Sequence, residues 1–163
     1  SPLCAFKLCE YLKIPIFEPS TVQGLSKDLL DELLVNGSTY WSAATIPLNH
    51  GKHLIIHNPT HSPARQQSNL MHELAHILCE HVVSEKVKET GLSGFLRNFD
   101  IEQENEAEWL GSCLQLPKPA LIQSLKKGMT IEAMAEHYNC STEMVKYRIN
   151  VSGVRRQLSY MGY

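Results

Sequence analysis

Apolar residues recur at helical spacing over residues 3 to 13 and 25 to 35, with Pro15 and Pro19 breaking the chain between them and Asn36-Gly37 closing the second run. Two helices are predicted there. The pattern then changes period: Thr39 to Leu48 and His53 to His57 are strand-like runs rich in Tyr, Trp, Thr and Ile, joined by the turn sequence Asn49-His50-Gly51-Lys52. A β-hairpin follows. Ser62-Pro63 supplies an N-cap and a proline at the first helical position, and the stripe Leu70, Leu74, Ile77, Leu78 runs on from it. After a Gly-containing surface loop at residues 89 to 99, Asp100 with Gln103 three positions on opens another helix. That helix must stop near Leu116, because Pro117 and Pro119 follow. Thr130 to Tyr138 and Ser141 to Ile149 read as two short helices across Asn139-Cys140. The expected class is α+β, mainly helical with a small antiparallel β-sheet.

Composition narrows the setting. With 163 residues, 43% of them hydrophobic, the chain can bury a core of its own. The formal charge is only -2, but residues 118 to 163 carry seven Lys/Arg against three Glu, which makes the tail about +4 and the rest about -6. Five cysteines in no zinc-ribbon spacing fit a reduced, cytoplasmic protein without disulfides. No apolar run approaches the roughly 18 residues of a membrane span, and no signal-peptide pattern opens the chain. It begins Ser1-Pro2 without methionine, as expected of a trimmed or partial sequence.

The chemistry lies in His72-Glu73-Leu74-Ala75-His76. On a helix, positions i and i+4 are stacked neighbours, so both imidazoles can reach one metal ion, while Glu73 points toward the rim where a water activated by that ion would sit. A catalytic zinc takes a third protein ligand and keeps a position open. The sequence after His76 fits neither the metzincin spacing nor the inverted His-x-x-Glu-His form. His81, five residues on, falls about 140° around a continued helix and points elsewhere. The ligand must come from another element.

The acidic run Glu102, Glu104, Glu106, Glu108 is the source, and the helical wheel chooses within it. With Ala107 at zero, the inward stripe Gln103, Ala107, Leu110, Gly111, Leu114 spans about -60° to +40° and Glu104 sits at about +60°. Glu108 flanks it at about +100°, where it could accept the distal N–H of His72 or His76. Glu106, near -100°, is the alternative third ligand, and Glu102 faces solvent. Small residues at 107 and 111 would let the two helices approach closely. Cys79 and Cys113 read as ordinary core residues, and His50, His53, His57, His61 and His137 as surface or hairpin residues. His57 or His137 could reach the cleft to stabilise an oxyanion.

These residues resemble the ImmA/IrrE family of zinc-dependent peptidases, relatives of the thermolysin-type gluzincins. Three blocks carry the resemblance: Trp41-Ser42-Ala43 with His57-Asn58-Pro59, the stretch Arg65 to His76, and Glu104-x-x-Ala107 ending Leu114-x-Leu116-Pro117. Residues 135 to 149 are similar to the helix-turn-helix-like segment that often follows the peptidase core. The chain departs from the family at Leu110-Gly111, where Phe-Ala is usual, and at Glu108, where Asn or Asp is usual.

The resemblance implies a gluzincin-like core over residues 1 to 120 and a helical segment over 121 to 163 packed on it. It also implies His72, His76 and Glu104 as ligands of Zn2+, with Mn2+ fitting the same set, and Glu73 as the catalytic base. The expected activity is an endopeptidase cleaving a transcriptional repressor or antitoxin-like partner in a stress response, mobile element or prophage. The competing expectation is a metal-binding regulatory module without turnover, binding DNA or a repressor. DNA binding by the basic tail is the less favoured role for that segment.

Overall fold

The computed structural model describes residues 2 to 81, 101 to 160 and 162. The surface loop expected at 89 to 99 and the helix start at Asp100 lie outside them. In chain order the elements are α1 (Ala5–Leu12), β1 (Ile16–Phe17), α2 (Lys27–Asp31, continued by a π turn over Glu32–Asn36), β2 (Ala43–Pro47), β3 (His53–His57), α3 (Pro63–Leu78) and α4 (Ile101–Gln115). They continue as α5 (Lys118–Lys126), α6 (Ile131–His137), α7 (Thr142–Val151) and α8 (Val154–Tyr160). The fold is α+β and mainly helical, as expected.

The sheet corrects one expectation. Its strand order is β1-β3-β2, with β2 antiparallel to β3 as the hairpin pattern requires, but β1 parallel to β3, Ile16 beside Ile55. It is therefore a mixed sheet of three strands, not an antiparallel one. Ile55 N–H donates to the Pro15 carbonyl at 2.9 Å, so a proline that reads as a chain break also supplies an acceptor to the added strand. Two residues are too few to show an alternating pattern.

Helix α3 starts where the sequence places it: the Ser62 hydroxyl accepts from Arg65 N–H and Pro63 occupies the first turn. Its inward face, Leu70, Met71 and Leu74, packs with Ala5 and Cys9 of α1 and Ile55 of β3 in one fully buried cluster. Buried Gln67 ties α1 on, accepting from Ala5 N–H at 2.9 Å and donating to the Leu3 carbonyl at 2.8 Å. Helix α1 has no side-chain cap of its own, so Gln67 satisfies one of its orphan donors from another element.

A second cluster gathers Leu116, Leu121, Met134, Val145, Ile149 and Val154, with Leu158 from α8. Pro117 and Pro119 end α4 as expected and also begin α5, with Pro117 as the residue before its first turn. The Arg148 guanidinium, buried, donates through Nε to the Leu116 carbonyl at 3.1 Å, and Gln115 donates to the Asn139 carbonyl at 3.1 Å. One of the tail's seven basic side chains is thus committed to holding α7 against the end of α4.

Candidate metal centre

Helix α3 carries His72 and His76 one turn apart, and α4 lies against it. The approach is close because position 111 has no side chain. A Cβ there would stand 3.0 Å from the Met71 carbonyl oxygen and 3.2 Å from the His72 Cα. Ala107, one turn earlier, is fully buried in the same seam. That closeness brings Glu104 across to the histidines: its Oε2 lies 3.2 Å from His72 Nε2 and its Oε1 3.3 Å from His76 Nε2. The two Nε2 atoms are 3.0 Å apart.

Metal bonds of about 2.0–2.2 Å set edges of about 3.3–3.6 Å in a tetrahedron, and the two imidazole nitrogens and the Glu104 carboxylate, one oxygen facing each ring, are spaced on that scale. A His₂-carboxylate set suits zinc and leaves room for a further ligand. His72, His76 and Glu104 are all partly open to solvent, and together they form a group that could hold a metal ion. Burial, followed by the neighbouring His72 and His81, lowers the His76 pKa to about 4, so that ring is neutral at pH 7, the form a metal ligand needs.

Glu73 is partly buried beside this group. Its Oε2 accepts from the Thr45 hydroxyl of β2 at 2.6 Å. Burial raises its pKa above the ordinary carboxylate range, and Glu104 adds to the rise, while hydrogen bonding from Thr45 and the proximity of His72 pull it back down. A carboxyl with a raised pKa beside a metal-binding set is suited to general-base work.

The structure changes the place of several other residues. Helix α3 ends at Leu78. Glu80 takes a left-handed conformation at φ 55° and His81 N–H returns to the His76 carbonyl at 3.0 Å, the doubled-back closure of a Schellman motif. His81 does not continue the helix and does not point away. Its Nδ1 lies 2.9 Å from His76 Nδ1 and its Nε2 3.1 Å from Glu106 Oε2.

Glu106, the alternative third ligand, is thus drawn to His81 and Cys79, with which it forms a second group, and not to His72 and His76. Glu108, expected behind one of the histidines, is exposed, and among the described residues no hydrogen bond joins it to either. On the wheel it lies on the outer flank of α4, while the turn at Glu80 fills the position behind His76 with His81. His57 is buried with its ring edge-on to Phe6, and the exposed His137 meets edge-on the ring of Tyr138, a residue of the second cluster. Neither belongs to the metal group. Thr45 and His81 carried no signal in the sequence beyond a β-branched position in a strand and the end of an apolar stripe at Leu78.

The profile of the IrrE N-terminal-like domain, a peptidase family, matches residues 9–150. The chain belongs to this family. No curated protein and no solved structure matches the chain. As an IrrE-like protein it is a metallopeptidase by family, a hydrolase of peptide bonds. The matched region includes α3 and α4 and extends into α7, so it takes in every residue of the candidate metal group. No helix among the described residues of this IrrE-like chain is long and apolar enough to cross a membrane.

Proposed function

We propose that the chain is a zinc endopeptidase that cleaves a regulatory protein. The observation that carries the reading is the convergence of His72 Nε2, His76 Nε2 and Glu104 within 3.0–3.3 Å, with the buried Glu73 carboxyl alongside. A divalent ion held there supplies Lewis-acid polarisation of the scissile carbonyl and acidifies a water. His72, His76 and Glu104 hold the ion, Glu73 takes the water's proton, and Glu73 then passes it to the leaving amine. Zinc is the favoured occupant because it binds such a set more tightly than manganese does.

The substrate is an extended segment laid along β2. Ser42 accepts from Asn58 N–H, and the alternation of an antiparallel pair makes 44/56 and 46/54 the bonded positions. The backbone groups of Ala43 and Thr45 therefore face outward, and among the described residues no strand pairs with that edge. Strand addition there would draw a peptide past Glu73. A flexible stretch of a repressor or antitoxin-like protein, in a stress response or mobile element, is the partner the family resemblance suggests. We read residues 1 to 120 as a gluzincin-like core and α6 with α7 as a helix-turn-helix-like segment that supports it. Direct DNA binding is less favoured, since Arg148 is occupied inside the fold.

Elemental mass spectrometry of the purified chain is expected to find one zinc, lost in His76→Ala and in Glu104→Ala. Absence of metal after reconstitution overturns the reading. Glu73→Gln is expected to keep the metal and lose cleavage of a protein substrate.

A further inference from the structure

Behind His76, away from His72 and Glu104, runs a chain of three side chains: His76 Nδ1 to His81 Nδ1 at 2.9 Å, then His81 Nε2 to Glu106 Oε2 at 3.1 Å. We propose that His81 and Glu106 are positioning residues that fix the tautomer and ring orientation of His76 and so set metal affinity. This rests on His76 being a ligand through Nε2. Proton counting then assigns every bond. A neutral imidazole that offers Nε2 to a cation carries its hydrogen on Nδ1, so His76 donates and His81 Nδ1 accepts. His81 in turn carries its hydrogen on Nε2 and donates it to the Glu106 carboxylate. A neutral ring held between a neutral ring and a carboxylate passes polarisation toward the metal-facing nitrogen, as partners of metal-bound histidines commonly do.

The fold makes the arrangement specific. His81 is carried to His76 by the left-handed turn at Glu80, and its side chain is 7% exposed, against 62% for Glu106. The inner member is sheltered and the charged member stays hydrated, so the carboxylate is not stranded in a dry site.

Cys79, His81 and Glu106 could instead hold a second metal, since their ligand atoms lie within 4.8 Å of one another. The same proton count opposes it. A metal on His81 Nε2 would leave that ring's hydrogen on Nδ1, turn His76 Nδ1 into the acceptor, and move the hydrogen of His76 onto Nε2, where it blocks the first metal. With the 2.9 Å bond kept, the two sites exclude each other.

The test is zinc affinity of the full chain, measured by competition with a chromophoric chelator, together with long-range imidazole nitrogen–proton correlations of the zinc-loaded wild type. His81→Ala is expected to weaken zinc binding by about 10–100-fold. His81→Asn, whose Oδ1 can stand in for Nδ1 as acceptor, is expected to recover most of it, and Cys79→Ser to leave it unchanged. The spectra are expected to show hydrogen on Nδ1 of His76 and Nε2 of His81, a readout that needs no variant to fold. Unchanged affinity in His81→Ala, the opposite His81 tautomer, or two zinc ions per chain with one lost in Cys79→Ser each overturns the positioning role alone. A wild type that takes up no zinc overturns both this role and the ligand assignment beneath it.

Discussion

The hydroxyl of Thr45 donates to Glu73 Oε2 at 2.6 Å, tying the carboxyl next to His72 of the candidate metal group to the edge strand of the sheet. The bond joins the element that would bind substrate to the group that would move the proton. It also opposes the effect of burial on Glu73: burial raises the carboxyl's pKa, and Thr45 stabilises the charged form.

Thr45→Val removes the donor at nearly constant shape, so the Glu73 pKa is expected to rise further. A general base works deprotonated, and its activity is lost as pH falls through its pKa. The acidic limb of the kcat/KM profile should therefore move to higher pH in Thr45→Val and stay in place in Thr45→Ser. A profile that does not move in Thr45→Val would detach this hydrogen bond from the base.

Gly111 keeps α4 close enough for Glu104 to reach both histidines, and Glu104 lies seven residues earlier on the same side of the helix. Gly111→Val adds a branched side chain where even a Cβ would meet backbone at 3.0 Å. Overpacking of this kind costs about 1–3 kcal/mol, and α4 must move outward to relieve it. Thermal unfolding with and without zinc is expected to show a lower Tm in both conditions and a smaller increment from the metal. An unchanged zinc increment would mean that the helix spacing does not govern the site.

How much could be read in advance depended on how local the information was. Helix α3 was legible because its cap, its first-turn proline and its apolar stripe all lie within residues 62 to 78. Glu104 was legible because one wheel, with Ala107 and Gly111 marking the seam, orients the whole of α4. His81 was lost to the same tool, since a wheel assumes that the helix continues, and Glu80 carries none of glycine's preference for the left-handed turn it makes. Strand β1 was hidden for a different reason: its partner in the sheet is 39 positions away, Ile16 to Ile55, and pairing at that distance leaves no local period. Helices α5 and α8 were not legible: Pro117 and Pro119 mark a break ahead of α5, and both helices are held by the second cluster they help to build.

Arg148 tests what the basic tail is for. Removing its guanidinium in Arg148→Ala leaves the Leu116 carbonyl without its 3.1 Å donor and opens space in the second cluster. A loss of about 1–3 kcal/mol in urea unfolding is expected, while Lys146→Ala, on the exposed side of α7, should be nearly neutral. Equal effects of the two changes would argue against Arg148 as the tie between α7 and α4.

His57 should make the metal-free protein sensitive to acid. Its ring is buried edge-on to Phe6, 5.6 Å between centroids, and Nδ1 has no hydrogen-bond partner among the described residues. Burial lowers its pKa below the usual 6.5, with Glu18 acting weakly the other way. The unfolded chain then binds a proton at a pH where the folded chain does not, so stability is intact above about pH 6.5 and falls as pH drops through the window below it. His76, lowered to about 4, pulls in the same direction, so His57 has to be isolated by difference. Urea unfolding in chelator at pH 7.5 and pH 5 is expected to show a smaller loss in His57→Leu than in the wild type, because leucine has no proton to take up. Equal losses in both chains would assign the acid sensitivity to the histidines of the metal group and leave His57 a packing residue.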